Sequence, residues 1–571
     1  SDLKPPIVLS FTRSQKIAVP TSRYAEWIGG QAMGTAIFWD LVKDKTIGGF
    51  DPDNALCIMT GPTTGTLAPG GGRLELVGIS PQSYPREQFT RTGAGGRFAA
   101  MLKFAGWDGI VVQGAAEQPY WVDVRDDQVF FRDATPLWGM NAYETQEEIW
   151  SYVNADGYGQ WWQPNSDNRD AGRTTQRPAV LVIGPAGEEK TRLGAIIHDA
   201  GNAFGNCGFG SVFGAKNLKA ISVIGSATVP VARPAEQLDA RRWLMAYNAD
   251  LDEAKQRSIG KYYPDYIQLG GLPAGGTVGY GEGANPFWWE EFGRPRGCDG
   301  CTLLCRMNVR SGKIPGGESQ CAEALFYQAA DATLHGRVTE TSYIATQLLQ
   351  EYGFNGYEVG QQISYLRALR KIEEETGATI LPESNLPWQL YGSEEFVRAF
   401  LDEVCYRKSP LGADLAEGLA RAAARWGRLE EDMRSGLLTL AYWGFDIHWG
   451  GNDEIDWAYE SMFRVRDINM HDSNKIQYNG TGGKPPFPAE WLPERTKDMC
   501  AYWENGKWQY GDPHVLDLGD DYIYSKSMAR SIQWHGAYWT FWKNSTTYCD
   551  WYVPSWFNEA GKVSADGMKR G

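Results

Sequence analysis

Short apolar runs that end at glycine dominate the first 225 residues, and they constrain the fold more than any other feature of the chain. Runs of this length, bounded by turn residues, are typical of buried β-strands. Seven of them predict strands, namely ALCIMTGP, RLELVGIS, DGIVVQG, YWVDV, QVFF, AVLVIGPAG and LKAISVIG. The first part of the chain is therefore predicted to be a β-rich domain.

The same order of features occurs twice in this part of the chain. One predicted strand ends at Gly61-Pro62 and another at Gly184-Pro185, and a glycine-rich turn, a helix-like run and a further strand follow at 93–114 and 205–225. Two matching halves predict a pseudo-twofold domain with two equivalent ligand sites. Because the chain has 67 glycines, a chance similarity between two glycine-rich loops is the alternative.

The pattern changes to helical periodicity from Pro234 onward. Apolar residues recur at spacings of three and four in stretches such as TSYIATQLLQEYG, EVGQQISYLRALRKIEEETG and EEFVRAFLDEVCYR, and several stretches stop at glycine. We predict an α+β protein with three domains: a β-rich pseudo-twofold domain over 1–226, a helical domain with a cysteine cluster over 227–430, and a second helical domain over 431–571.

Composition excludes several classes of protein. The 571 residues carry 55 Lys and Arg against 70 Asp and Glu, a net charge of -15, which argues against a nucleic-acid partner. No run approaches the roughly 18 apolar residues of a membrane span, and the chain does not open on a signal peptide, so a cytoplasmic protein is predicted. Nine irregularly spaced cysteines in so long a chain favour reduced thiols over disulfides.

Three cysteines lie close together in CDGCTLLC. The spacing Cys298-x2-Cys301-x3-Cys305 suits a loop that wraps an iron–sulfur cluster. The thiolates neutralise the positive charge of its iron atoms. Zinc more often uses two separated pairs, and no second pair exists here. Cys500 and Cys549 are the distant candidates for a fourth ligand. A [4Fe-4S] cluster is the preferred prediction, with zinc or free thiols as alternatives.

Four glycine-rich segments mark places where the backbone can approach a ligand, at 61–73, 93–96, 183–189 and 205–219. Glycine lets several N–H groups converge on an anion, which allows an acidic protein to bind phosphates. Arg73, Lys216 and Lys219 add positive charge beside these segments. Tight turns would explain the glycines equally well.

Taken in order, GPTTGTLAPGGGR, LKFAGWDGIVVQG, IGPAGE, GAKNLKAI and the cysteine cluster resemble the aldehyde:ferredoxin oxidoreductase family of tungsten or molybdenum enzymes over essentially the whole chain. The resemblance implies two pyranopterin-dithiolene cofactors around one tungsten or molybdenum atom, Mg2+ bridging their phosphates, and a [4Fe-4S] cluster beside one pterin. It implies a β-rich domain followed by two helical domains. It also implies a small-molecule substrate and, as electron partner, ferredoxin or an iron–sulfur subunit, with a homo- or hetero-oligomer as one arrangement.

The resemblance assigns the cluster ligands to Cys298, Cys301, Cys305 and Cys549. Cys549 closes NSTTYC, where the family has D-x-x-G-L-C, and QEYGFN at 350–355 stands for the companion motif D-x-x-G-L-D. Amides replace the family's aspartates at Gln350, Asn355 and Asn544, and an amide oxygen accepts hydrogen bonds more weakly than a carboxylate. Pterin recognition is predicted in an altered form, and a member that has lost its pterin is an alternative. Family members usually continue further beyond this cysteine, so an incomplete sequence or a reduced third domain is expected.

The same resemblance assigns the remaining cofactor contacts. It places Arg73 between pterin and cluster, and it places backbone around the bridged phosphates. The positions concerned are Arg73, Gly93, Ala94, Gly95, Gly96, Ala186, Gly187, Lys216 and Asn217.

The predicted substrate side of the metal rests on four residues. Glu323 lies at the offset of the family's active-site glutamate and is a candidate general acid/base, or else a surface carboxylate. Cys321 lies where class II benzoyl-CoA reductases, relatives within the family, place a cysteine that ligates tungsten; a buried inert thiol is the alternative. His448 and His471 fall in the region of the family's catalytic histidine, although the motif match is loose. The other four histidines lack such a context.

The leading functional hypothesis is a tungsten-dependent oxidoreductase that moves electrons between an aldehyde/carboxylate couple and ferredoxin through a [4Fe-4S] cluster. A low-potential reductase of an aromatic or CoA-thioester substrate, with Cys321 as metal ligand, is the second hypothesis. A zinc-stabilised scaffold without redox function is the third.

Overall fold

A computed structural model describes residues 7–10, 15–155, 177–249, 292–301, 306–309, 318–319, 326–440, 444–445, 502–509, 512, 514, 521 and 524–549. In the part of residues 7–225 that it describes, twelve strands form two six-stranded sheets. The strands are β1 Ile7–Ser10, β2 Gln15–Ala18, β3 Leu56–Met59, β4 Leu74–Ser80, β5 Gln88–Ala94, β6 Gly109–Gln113, β7 Tyr120–Arg125, β8 Gln128–Asp133, β9 Ala179–Val182, β10 Ile196–His198, β11 Asn202–Phe204 and β12 Leu218–Ile224.

The two sheets have the same topology. The first has the strand order β2-β1-β6-β3-β4-β5, and the second, taken from its opposite edge, has the order β8-β7-β12-β9-β10-β11. The parallel pair β1/β6 corresponds to the parallel pair β7/β12. The antiparallel pair β3/β6 likewise corresponds to β9/β12. Each strand thus matches the strand six places later, which confirms the predicted repeat.

Helices occupy matching places in the two halves. A long helix follows the second strand of each half, and a short helix precedes the sixth. In chain order these helices, with the short turn after β9, are α1 Gly30–Leu41, α2 Phe98–Phe104, α3 Ala142–Ala155, α4 Pro185–Glu188 and α5 Phe209–Ala215.

The central strands are buried on both faces. All four residues of β3 and of β9 are buried, as are all seven of β4 and of β12. Strands covered on both faces have near-continuous apolar sequences, which is why these runs were recognisable in the sequence. One hydrophobic core joins the two sheets, with Leu56, Ile58, Val182 and Ile221 fully buried in it.

The rest of the described chain is mainly helical, as predicted. Its helices are α6 Pro234–Ala249, α7 Gln328–His335, α8 Glu340–Tyr352, α9 Gly356–Thr376, α10 Glu394–Cys405, α11 Pro410–Ala416, α12 Leu419–Arg425, α13 Leu429–Ser435 and α14 Lys526–Tyr538, which continues as a π-helical turn, Trp539–Ser545. Two small antiparallel sheets accompany them, formed by β13 Phe292–Arg296, β14 Arg306–Val309 and β15 Glu318–Ser319, and by β16 Tyr502–Glu504 and β17 Lys507–Gln509. The domain boundaries stay a prediction.

Helices α8 and α9 end at glycine, as the sequence indicated, and polar side chains cap their first turns. Thr339 caps α8, which ends at Gly353 with φ 75°. Asn355 caps α9, which ends at Gly377 with φ 72°. Glycine adopts this left-handed conformation without strain, so it stops each helix cleanly. Within the described residues, none of the helices combines the length and apolarity that crossing a membrane requires.

Candidate cofactor and cluster site

The cysteine loop, residues 298–301, lies against the glycine loop 93–96 at the end of the first sheet. Asp299 donates its backbone N–H to Gly96 O at 2.9 Å, and Cys301 N–H closes a turn on Cys298 O at 3.1 Å. A Cβ added at Gly95 would lie 2.6 Å from Cys298 Sγ, closer than side chains approach one another. Glycine is therefore required where the Cys298 sulfur approaches the sheet.

Cys549 reaches the same place from the other end of the chain. Its backbone N–H donates to Gly70 O at 2.8 Å. The cysteine loop packs on the neighbouring Gly72, whose added Cβ would lie 3.2 Å from Cys298 Cβ. Cys298, Cys301 and Cys549 are all partly exposed, in contrast to the buried core cysteines. The segment 70–72 thus brings together cysteines that are far apart in the sequence.

Five predicted site residues lie outside the described part of the chain: Cys305, Cys321, Glu323, His448 and His471. Within the described part, no three His, Cys, Asp or Glu side chains are grouped as ligands of a metal ion. The four-cysteine ligand set therefore stays a prediction, supported by the convergence of its described members.

The segment 544–549 packs against glycine turns of the first half. A Cβ added at Gly61 would collide with Thr546 O. Asn544 is 2% exposed and donates Nδ2 to Gln31 Oε1 at 2.9 Å. This close approach of the two backbones explains why glycine is needed at position 61, just after β3.

The segment 350–355 occupies the equivalent place on the second half. Gly353 O accepts the backbone N–H of Ala195 at 2.7 Å. A Cβ added at Gly184 would lie 2.5 Å from a backbone carbonyl of this segment. Gly61 and Gly184 follow equivalent strands of the repeat, so the two segments pack on the two halves in the same way. This is the arrangement that two equivalent ligand sites require.

The three amides at the predicted pterin positions have different surroundings. Asn355 Oδ1 accepts the N–H of Tyr357 at 3.1 Å and caps the helix that follows. Asn544 contacts Gln31, as described above. Gln350 is 1% exposed, and its Oε1 has no hydrogen-bond partner among the described residues. Because such an orphaned oxygen costs about 1–3 kcal/mol, Gln350 is suited to a ligand that donates a hydrogen bond.

His198 supports the 93–96 loop, a role that the sequence assigned to none of the histidines. Its Nε2 accepts the backbone N–H groups of Arg97 at 3.1 Å and Phe98 at 3.2 Å. Its Nδ1 lies 2.9 Å from Val180 O. Two N–H donors at Nε2 and a carbonyl at Nδ1 match the tautomer with its proton on Nδ1, and Asp199 Oδ2 also lies 3.1 Å from Nε2. The imidazole thereby holds the loop in position. The sequence offered only one signal, a histidine in an otherwise apolar strand.

A buried ion pair lies beside Arg73. Glu75 Oε2 accepts from Arg91 Nη1 at 3.0 Å, and both side chains are at most 2% exposed. A Cβ added at Gly93 would lie 2.7 Å from Glu75 Oε1 and 3.0 Å from Arg73 Nη2. Gly93 therefore leaves the space in which the carboxylate and the Arg73 guanidinium come close. Arg73 and Gly93 were recognisable in the sequence as site candidates, whereas Glu75 and Arg91 were not.

Lys216 and Asn217 contact backbone carbonyls that lie beyond the first sheet. Lys216 Nζ donates to Pro52 O at 2.9 Å and to Gly114 O at 3.1 Å. Asn217 Nδ2 donates to Ala116 O at 2.7 Å. Burial lowers the pKa of Lys216 to about 7. Both side chains join the two halves of the repeat, and their contact with a cofactor stays a prediction.

Ala186 and Gly187 lie in the short turn after β9. Ala186 O accepts the N–H and the Oγ1–H of Thr191, both at 3.1 Å. A Cβ added at Gly187 would lie 2.8 Å from Gly210 O, so this glycine permits contact with α5. The turn is thereby fixed between the sheet and the helical part of the chain.

Asn202 supplies a further polar group beside the cysteine loop. It is 1% exposed, and neither Oδ1 nor Nδ2 has a hydrogen-bond partner among the described residues. Asn202 and Gln350 thus offer buried amide atoms that a ligand can use, and Cys298 Sγ lies beside the open backbone of Gly95. These residues fit an extended polar ligand and an iron–sulfur cluster.

Comparison with known proteins agrees with this arrangement. The family described as aldehyde ferredoxin oxidoreductase matches with its N-terminal domain over residues 7–225 and with its domains 2 and 3 over residues 286–468. The chain belongs to the aldehyde ferredoxin oxidoreductase family. The resemblance drawn from the sequence motifs is thereby confirmed.

Two relatives within this family carry the name tungsten-containing aldehyde ferredoxin oxidoreductase. The protein of Pyrococcus furiosus is 29% identical over 445 residues, 73% of this chain and 65% of the relative. The protein of Thermococcus kodakarensis is 30% identical over 441 residues, with the same coverage of 73% and 65%. The chain therefore spans just under two thirds of the length of these relatives.

A solved structure has a fold similar to that of this chain. It is the active site complex BamBC of benzoyl coenzyme A reductase with 1,5-dienoyl-CoA, with a TM-score of 0.65 and 19% identity. The match covers 100% of this chain and 89% of the other. The predicted α+β architecture, β-rich first and helical afterwards, is the fold of this structure.

Proposed function

We propose that the protein is a tungsten-dependent oxidoreductase that transfers electrons between an organic substrate and an external iron–sulfur partner, such as ferredoxin, through a [4Fe-4S] cluster. The convergence of the Cys298–Cys301 turn and Cys549 on residues 70–72 carries this proposal. Membership of the family and the tungsten-containing relatives support it.

Different residues of the chain would bind the cluster, the phosphates and the pterins. The cysteines, including Cys305, would hold the cluster. The backbone of 93–96 and of Ala186-Gly187 would face the phosphates and their Mg2+, while Gln350 and Asn544 would meet the pterins. A bis-pterin tungsten centre would supply two-electron chemistry, and the cluster would pass the electrons on singly.

The substrate class that we propose is an aldehyde/carboxylate couple. Oxidation of an aldehyde takes its oxygen from water and releases two electrons and three protons, with the external partner as oxidant. Glu323, or else His448 or His471, would accept a proton from the reacting water. Burial of a carboxylate raises its pKa and makes it a competent base near neutral pH.

A second candidate function is the low-potential reduction of an aromatic or CoA-thioester substrate. Cys321, two residues before Glu323 in the sequence, favours it, because a thiolate is a soft ligand suited to a metal already bound by sulfur. X-ray absorption of the tungsten separates the candidates. Loss of one sulfur neighbour in Cys321→Ser favours the reductase, and unchanged spectra favour aldehyde oxidation.

Anaerobic purification followed by metal analysis tests the proposed function. We expect tungsten or molybdenum, about four iron atoms with acid-labile sulfide, and an extractable fluorescent oxidised pterin. Zinc as the only bound metal would instead indicate the scaffold. Iron and sulfide without pterin would identify a member that has lost the organic cofactor.

A further inference from the structure

Asn202 is a buried residue whose side-chain amide forms no hydrogen bond with any other described residue. It begins β11 and pairs with His198 across the hairpin, and it is 1% exposed. A buried polar group without a partner costs about 1–3 kcal/mol, so proteins retain one where something else satisfies it. Neither the oxygen nor the nitrogen of this amide has a partner among the described residues.

The unused amide lies next to the first cysteine of the cluster loop. A Cβ added at Gly95 would lie 3.2 Å from Asn202 Oδ1 and 2.6 Å from Cys298 Sγ, so both atoms border the space that glycine leaves open. Since no hydrogen bond holds the amide in one orientation, rotation of its plane exchanges oxygen and nitrogen. The N–H group can therefore face the sulfur.

The neighbouring polar side chains are already engaged. His198, the cross-strand partner, has both ring nitrogens in use, with the N–H groups of Arg97 and Phe98 at Nε2 and Val180 O at Nδ1. Arg97 donates to Asp199. Asn202 remains as the neutral donor beside Cys298.

We propose that Asn202 donates an amide N–H to sulfur at the Cys298 corner of the cluster and so sets the cluster's reduction potential. The proposal rests on the proposed function, since it requires the cluster. Hydrogen bonds to cluster sulfurs stabilise the more negative reduced state and raise the potential. Asn202 would thus be a positioning and tuning residue that leaves the iron ligands unchanged.

Asn202→Leu, which keeps the side-chain shape without the donor, tests the proposal. The measurement is the midpoint potential of the cluster in the loaded protein, by EPR-monitored redox titration. We expect a more negative potential with unchanged iron content, and an equal or larger negative shift in Asn202→Asp, because a carboxylate repels electrons placed on the cluster. In cofactor-free protein, Asn202→Leu should unfold at a higher urea concentration, because it removes an unsatisfied amide.

Gln362→Met is the matched control, since Gln362 is also a fully buried amide but belongs to helix α9 and contacts Leu415 O. Its cluster potential should equal that of the wild type. An unchanged potential in Asn202→Leu with full iron overturns this inference and leaves the proposed function intact. Loss of pterin at unchanged potential also overturns it and assigns the amide to the pterin. A wild-type protein without iron overturns both proposals.

Discussion

Glu75 and Arg91 form an ion pair inside the first sheet, with Oε2 and Nη1 3.0 Å apart and side chains 0% and 2% exposed. Removing one charge from a buried pair costs about 3–5 kcal/mol, since the other charge stays in a poorly solvated place. We predict that Glu75→Gln lowers the free energy of unfolding by about this amount, as measured by urea denaturation.

The exposed pair Arg23–Asp40 provides the comparison, with side chains 65% and 38% exposed. Solvent screens such a pair, and Arg23→Gln should cost at most about 1 kcal/mol. Equal losses in the two variants would show that burial of the Glu75–Arg91 pair contributes nothing beyond an ordinary surface contact.

Cys549 is expected to be the fourth cluster ligand, because its backbone is bonded to Gly70 beside the cysteine loop. Cys549→Ser should lower the iron content of anaerobically purified protein by more than half, since an iron site with one ligand missing is labile. Cys500→Ser, at the other distant candidate, should retain full iron. The reverse pattern in iron and sulfide assays would transfer the assignment to Cys500.

Gly61 and Gly184 allow two predictions from equivalent positions. Gly61→Ala should displace the segment that carries Cys549, because the new Cβ meets Thr546 O, and iron content should fall. In Gly184→Ala, the new Cβ would contact the segment 350–355, which contains no cysteine. It should keep its iron while pterin content falls. Metal and pterin analysis of both variants, side by side, decides between this expectation and a common loss of folding.

Glu358 makes stability depend on pH. It is 1% exposed and accepts the backbone N–H of Leu419 at 2.5 Å. Burial raises its pKa to about 7, against an ordinary value of 4.5, although Arg421 opposes the shift. The folded protein therefore binds the proton more tightly than the unfolded chain. This contribution to stability is complete below about pH 4.5 and is lost as the pH rises through about 7.

Glu358→Gln removes this titration. Relative to the variant, the wild type should lose stability between pH 4.5 and 7, as followed by urea midpoints in cofactor-free protein at several pH values. Glu430→Gln, at an exposed position, should track the wild type throughout. A constant difference between wild type and Glu358→Gln across this range would contradict the assignment.

Most of the strands that the sequence revealed are covered on both faces. All seven predicted runs correspond to strands. Complete burial demands continuous apolar residues in strands such as β9 and β12, whereas β8 is only partly buried. The strands β10 and β11 have only three residues each, and β5 is half polar, so none has a recognisable pattern. The strands β10 and β11 nevertheless complete the second sheet and position His198 and Asn202.

Local sequence by itself determined the glycine turns, the helix ends, the repeat and the family, because each depends on residues close together in the chain. Only the tertiary structure decided that His198 holds the 93–96 loop and that Glu75 meets Arg91 beside Arg73. The sequence resemblance had already assigned Cys549 to the cluster, and the structure adds its backbone contact with Gly70. These relationships depend on strand order and on contacts between distant segments. Neither the periodicity of the sequence nor the spacing of its motifs predicts which side chains such contacts bring together.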